Sequence, residues 1–333
     1  MEKLISLAHG DGGELSHRLI RDIFVEAFDD KMAALFDAAA ITMSSRQVAV
    51  TTDSFVIKPL FFPGGSIGKL AVAGTVNDLA VSGSRPAFLT CGFVIEEGFP
   101  IGKLKRIVED MAAEAKKTGV QIIAGDTKVV ERGSADGVYI NTTGIGVYET
   151  GIGCSLNFEE GDAIIVTGSI GDHGIAVFSS REELGISSPI YSDCASLNRM
   201  LWDVLEQTKG IRIMRDPTRG GLATTLVEIA EDFHVTMKIK ELEIPVKREV
   251  HGVCDLLGFD PLYLANEGKA IIICSDNDKQ MVLDILRTYP EGKQAAIIGS
   301  IIGKDKGQLL LETPLGSTRG LSRLTGSMFP RIC

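Results

Sequence analysis

At 333 residues, with 44% hydrophobic and 23% charged side chains, the chain has the composition of a globular protein long enough for about two domains, each with its own core. A formal net charge of -10 and the lack of any basic stripe argue against an extended nucleic-acid surface, which needs clustered Lys and Arg. Cysteines at 91, 154, 194, 254, 274 and 333 form no CxxC pair and no nearby His ladder, so neither a zinc site nor a redox dithiol is signalled. Such unpaired cysteines fit a reducing compartment. No stretch approaches the roughly 20 apolar residues of a membrane span, and MEKLISLAHGDGG has no long apolar core of a leader, so a cytoplasmic location is expected.

Residues 1–40 read as an N-terminal arm, in which Leu15, Leu19, Ile23, Phe24, Ala27 and Phe28 fall at helical spacing. QVAVTTDSFVI (47–57) is β-rich, and the small-residue run at 69–83 predicts a helix that packs closely. A strand follows at 87–96. Residues 103–118 predict an amphipathic helix with Leu104, Ile107, Val108, Met111, Ala112 and Ala115 on one face. The strands VQIIAGDTKVV and VYINTTGIGVY close a first domain, 41–152. A Gly-containing break at 150–161 opens a second, 153–312. There strands at 162, 211, 235–240 and 269–274 alternate with helices near 173–183, 195–208, 222–233 and 277–288, before AAIIGSII and QLLLET. Two α/β halves are the economical architecture. Residues 313–333, punctuated by Gly, Ser and Pro with little periodicity, read as a flexible tail ending in PRIC.

Nucleotide-binding signatures fail where they come nearest. In PGGSIGKL the spacing from Gly64 to Gly68 is one residue short of a P-loop, and Leu70 follows Lys69 where a hydroxyl should stand; GSIGDHG spaces its glycines wrongly for a dinucleotide turn. Acidic residues at strand ends say more. Asp53, Asp78 and Asp126 each follow or interrupt an apolar segment, and side-by-side packing would gather three carboxylates at one edge. Mg2+ is held by such carboxylates together with phosphate oxygens. Each aspartate alone equally suits a cap or turn. DPTRGG (216–221) precedes a helix and has the makings of an anion site, or of an ordinary cap by Thr218 or Asp216. Glu267 in ANEGK is a turn acceptor or a general base in a cleft between the halves. Lys128 is a surface lysine or a phosphate-facing cation. Cys333 at the extreme end is hard to bury, because the terminal carboxylate would be buried with it. A thiol on a frayed end is either incidental or a carrier that travels.

The stretches LAHGDGG, TTDSFVIKPLFFPGGSIGKLAVAGTVNDLAVSG, AGDTKVVERG, NTTGIG, GDHG, RDPTRGG, DPLYLANEGK and the terminal PRIC together resemble the HypE family of hydrogenase maturation factors. That family belongs to the PurM-like ATP-dependent superfamily, with aminoimidazole ribotide synthetase and selenophosphate synthetase. The likeness runs in order from residue 7 to residue 333. It implies a PurM-like two-domain α/β fold, a homodimer whose first domains share a β-barrel, and an ATP- and Mg2+-dependent carbamoyl dehydratase. On this chain it implies that Cys333 receives a carbamoyl group from the carbamoyltransferase HypF. ATP then phosphorylates the carbamoyl oxygen, phosphate leaves to give a thiocyanate, and cyanide passes to iron on the HypC–HypD complex. It further implies that Asp53, Asp78 and Asp126 hold metal and nucleotide with Asn77 and Lys69 beside them, that Glu267 is the base, and that Lys128 assists it or stabilises the phosphoryl oxygens. Two departures stand out: Ser66 where the family segment usually carries Asp or Asn, and Asp11 where it carries Ser. Two other roles fit the same motifs, a PurM-like kinase acting on a free small molecule and a non-catalytic carrier of Cys333.

Overall fold

The computed structural model describes residues 4–10, 14–28, 41–44, 47–181 and 189–324. Cys333 with its PRIC motif, Asp11, and residues 29–40 of the expected arm lie outside them. The arm contains α1 (Glu14–Leu19), a π-type segment (Ile20–Val25) and α2 (Glu26–Phe28). Its inward residue Phe24 meets Phe93 edge-on, with ring centroids 4.9 Å apart.

The first half comprises β1 (Val48–Phe55), the short hairpin β2 (Phe61–Phe62) and β3 (Gly65–Ser66), α3 (Ile67–Val81), β4 (Arg85–Glu96), α4 (Ile101–Thr118), β5 (Gln121–Val130) and β6 (Val138–Val147). Its four-stranded sheet runs β1-β6-β4-β5. Only β4 and β5 are parallel, and α4 supplies the crossover that a parallel pair requires. The small residues of α3 let it be buried nearly all round. A Cβ on Gly68, for example, would stand 2.1 Å from the Ile107 carbonyl oxygen of α4. Among the described residues no helix covers the opposite sheet face, and Val48, Val50 and Val94 are exposed there.

The second half comprises β7 (Ala163–Val166), α5 (Asp172–Ser179), α6 (Asn198–Gln207), β8 (Ile211–Arg215), α7 (Gly221–Phe233), β9 (Thr236–Lys240), α8 (Arg248–Leu257), β10 (Ile271–Cys274), α9 (Lys279–Arg287), β11 (Ala296–Gly303), β12 (Gln308–Glu312) and β13 (Thr318–Leu321). The sheet order is β13-β12-β9-β11-β7-β10-β8. Strands β7 (AIIV) and β10 (IIIC) are apolar at every position because both faces are covered. One apolar layer contains α7, and the other contains α6 and α9. Ala80 and Val81 of α3 enter that second layer, so one helix serves the cores of both halves.

Two elements add to those expected. Helix α8 carries Val250, Val253, Cys254 and Leu257 at helical spacing, a stripe confined to ten residues of which Val250 and Cys254 are buried. Strand β13 lies within the expected tail and pairs with β12 through its backbone, so residues 318–321 belong to the sheet. Its side chains are exposed or half-buried, which leaves no apolar alternation to read. No helix among the described residues is long and apolar enough to cross a membrane.

Candidate active-site cleft

Between the halves lies a cleft of about 730 Å³ walled by β1 and α3 on one side and by the β8–α7 turn with Glu267 on the other. Period-2 alternation along β1 turns Val48, Val50, Thr52 and Ser54 outward and leaves Asp53 on the half-buried side. Asp53 Oδ1 accepts the Ser54 N–H at 2.9 Å. Burial raises its pKa, against the lowering effects of that hydrogen bond and of the Arg219 charge. Asp78 projects from α3, and its Oδ2 accepts the Thr51 hydroxyl at 2.9 Å. Burial first, and the nearby Asp216 second, push it up to about 7. Asp216, just beyond β8, lies near Asp78 and is itself raised by burial. Glu267 is 6% exposed and is pushed well above the ordinary carboxylate range, by burial and then by Asp193, Asp216, Asp53 and Asp78.

Burial raises the proton affinity of all four acids against one cleft, and a cation there would relieve that cost. Among the described residues no three acidic, His or Cys side chains form a ready-made metal centre. A cation here would need further oxygens from a ligand, which is how Mg2+ is held beside phosphates. Arg219 is the exposed cation of the cleft, whereas Arg215 is paired with Glu228 at 3.2 Å. The turn that carries Arg219 depends on its glycines. Gly220 and Gly221 have φ of +78° and +64°, and a Cβ on Gly221 would stand 2.6 Å from the carbonyl oxygens of Leu262 and Leu264.

Buried Asn266 draws three of the sequence motifs together. Its Oδ1 accepts the Gly171 N–H of GDHG at 2.8 Å, and its Nδ2 donates to the Pro217 carbonyl of DPTRGG at 3.0 Å. The ANEGK turn is thereby seated with Glu267 on the cleft wall.

Asp53, Asp78 and Glu267 meet in this cleft, but Asp126 and Lys128 do not join them within one chain. Both are exposed on β5, the edge strand opposite β1. Three inter-strand steps, about 14 Å, separate those edges. The expected convergence of Asp53, Asp78 and Asp126 is therefore not an intrachain one, because the sheet order is not the chain order. Asn77 does not line the cleft either. Its Nδ2 donates to the carbonyls of Ala195 (3.0 Å) and Glu267 (3.5 Å), and its Oδ1 accepts the Leu197 N–H (2.8 Å). Lys69 Nζ donates to the Gly64 carbonyl at 3.0 Å, also away from the cleft lining. Ser66, the departure in that segment, caps α3 by accepting the Lys69 N–H and donates its hydroxyl to Asp110. Asp216 as a cleft acid is the member that motif reading passed over. Its signal was the one used for the others, an aspartate at the end of an apolar strand.

The described cysteines are poor nucleophiles. Burial pushes the thiols of Cys91 and Cys274 up to about 12, those of Cys154 and Cys254 to about 11, and Cys194 well above its ordinary value.

Residues 36–148 match the family model "AIR synthase related protein, N-terminal domain", and residues 159–312 match that of the C-terminal domain. Fold and cleft thus define an AIR synthase related protein. "Carbamoyl dehydratase HypE" of Azotobacter vinelandii is 45% identical over 331 residues, which are 99% of this chain and 97% of that protein. A crystal structure of hydrogenase maturation protein HypE in complex with ATP matches with a TM-score of 0.93 at 45% identity, covering 98% of this chain and 99% of that one. A chain of a HypE-HypF complex matches with a TM-score of 0.80 at 46% identity, covering 92% and 99%. The chain belongs to the HypE family of carbamoyl dehydratases.

Proposed function

We propose that this chain uses ATP to dehydrate a carbamoyl group carried on its own C-terminal thiol, Cys333, to a thiocyanate that supplies cyanide for the iron of [NiFe]-hydrogenase. The observation that carries this reading is the cleft: Asp53, Asp78, Asp216 and Glu267 line it together with the exposed Arg219, and the last described residue, Leu324, is held on the helix that begins at its wall. The Leu324 N–H donates to Thr224 Oγ1 at 3.2 Å, on the first turn of α7, and the Tyr263 hydroxyl donates to the Ser322 carbonyl at 2.9 Å. Nine residues follow Leu324 up to Cys333. A stretch of that length spans at most about 30 Å, enough for a thiol to enter the cleft and leave it. Because burial holds the other five thiols protonated, Cys333 is the candidate nucleophile.

Dehydrating an amide needs its oxygen turned into a leaving group, and the cleft is suited to that. Arg219 and the N–H groups at the start of α7 bind the ATP phosphates. Asp53 and Asp78, with Asp216 beside them, would hold Mg2+, which would supply charge neutralisation for the transferring phosphoryl group. The carbamoyl oxygen takes the terminal phosphoryl group, ADP departs, and one N–H proton is lost as a C=N bond forms. The C–O bond then breaks with its electron pair leaving on phosphate, while the second N–H proton passes to Glu267 and a C≡N bond results. Products are the thiocyanate, ADP and phosphate. Asn77 and Lys69 act behind the site, holding backbone rather than touching the nucleotide.

The open sheet face supports a homodimer. Phe88, Ile145 and Val50 lie side by side across β4, β6 and β1, with exposed Val94 nearby, a row suited to cover by a second copy. Closing two such sheets into a barrel sets β5 of one copy against β1 of the other. Asp126 and Lys128 would then serve the partner's cleft, Asp126 on metal and Lys128 beside Glu267. HypF is the carbamoyl donor and the HypC–HypD complex the cyanide acceptor in this reading. The division into domains 41–152 and 153–312 fits one domain for the shared barrel and one for the base.

Intact-protein mass after incubation with HypF, carbamoyl phosphate and ATP tests the proposal. Gain of a carbamoyl group followed by loss of one water is expected. A carbamoyl adduct that stays unchanged under complete conditions would refute it.

A further inference from the structure

Residues 189–197 form neither helix nor strand, yet they tie the halves together. The Ser192 N–H donates to the Pro63 carbonyl at 2.8 Å, and the Ser196 N–H donates to Glu114 Oε1 of α4 at 3.3 Å. The Asn77 amide grips the same strap through Ala195 and Leu197. At its centre, Asp193 reaches the other way. Its Oδ1 accepts the Glu267 N–H at 3.3 Å and its Oδ2 the Gly268 N–H at 3.1 Å. The Glu267 carbonyl in turn accepts from the Ala195 N–H at 3.4 Å and from Asn77 Nδ2 at 3.5 Å. Both backbone polar groups of Glu267 are thus held by the strap and α3, not by its own turn. The approach is close enough that a Cβ on Gly268 would stand 1.8 Å from the Asp193 carbonyl oxygen.

We propose that Asp193 is a positioning residue for the dehydration step: its two carboxylate oxygens grip adjacent N–H groups and so set the direction in which Glu267 enters the cleft. Asp193 does not line the cleft, so it acts through Glu267 and not on substrate. Two adjacent hydrogen bonds to one carboxylate fix a peptide plane where a single one leaves it free to rotate. This inference rests on Glu267 being the base.

The test uses the full chain, carbamoylated by HypF and then mixed with ATP for a single turnover followed by intact mass. Asp193→Ala is expected to slow loss of water by about 100-fold, the penalty of an ångström-scale misplacement, and Asp193→Asn, which keeps one acceptor, by roughly 10-fold. ATP affinity and the carbamoylation rate stay within about twofold of the parent, since neither uses Glu267. The double variant Asp193→Ala, Glu267→Gln is expected to be no slower than Glu267→Gln alone. Additive losses in the double variant, an unchanged rate in Asp193→Ala, or parallel losses of ATP binding and dehydration would each overturn the positioning role. A parent chain that never loses water, or a Glu267→Gln chain that keeps the parent rate, would instead overturn the base assignment beneath it.

Discussion

Asp78 is the residue whose charge state the fold changes most usefully. In an unfolded chain its carboxyl titrates near ~3.9, and in the folded one burial and Asp216 raise it to about 7. Between those values the folded state binds more protons than the unfolded one, so stability falls as pH rises through that window and levels off above about 7. Thermal melts of the ligand-free protein across this range should show the decline, and Asp78→Asn should reduce its slope. A melting temperature that rises with pH there would contradict the assignment. Binding of ATP with Mg2+ should release protons near neutrality, because a cation displaces those held by Asp78 and its neighbours; calorimetry in buffers of different ionisation enthalpy measures the number. Glu267→Gln should leave carbamoylation intact and slow the ATP-dependent loss of water by about 10² to 10⁴-fold, the usual contribution of a positioned base. The strand-end aspartates and the ANEGK glutamate are visible as residue types in the chain. Their raised proton affinities are not, since these come from burial and from carboxylates distant in sequence.

At the scale of elements, α3 shows how local chemistry and packing combine. Ser66 caps it and also donates to Asp110, so Ser66→Ala should cost about 1 kcal/mol in chemical denaturation with little effect on the ATP affinity. Gly68→Ala should cost more, about 1–3 kcal/mol as for other overpacked core sites, because the new methyl meets the Ile107 carbonyl of α4. The helices α3 and α4 and the strands of the first sheet are legible because their periodicities run for many residues. Helix α8 shows its apolar stripe, Val250, Val253, Cys254 and Leu257, over only ten residues, and strand β13 leaves none because it is defined by backbone pairing at a sheet edge. The strap at 189–197 leaves no periodic trace either, although it anchors the Glu267 turn.

For the whole molecule, the open sheet face makes assembly the decisive variable. Phe88→Lys places a charge on that face away from the cleft lining, and should shift the protein from dimer to monomer in light scattering while the halves stay folded. If Asp126 and Lys128 come from the second copy, the monomer should lose the dehydration step and still accept a carbamoyl group; a fully active monomer would refute a shared site. Composition and periodicity suffice to establish two α/β halves, the amphipathic and small-residue helices, and the doubly buried strands, because these depend on neighbours within a few residues. Which acids face one another is decided by the packed chain alone. The sheet order β1-β6-β4-β5 parts Asp53 from Asp126, while the turn after β8 brings Asp216 against Asp78 across 138 residues of sequence (216 less 78). No local pattern encodes such a meeting, because it follows from how two sheets share one buried helix.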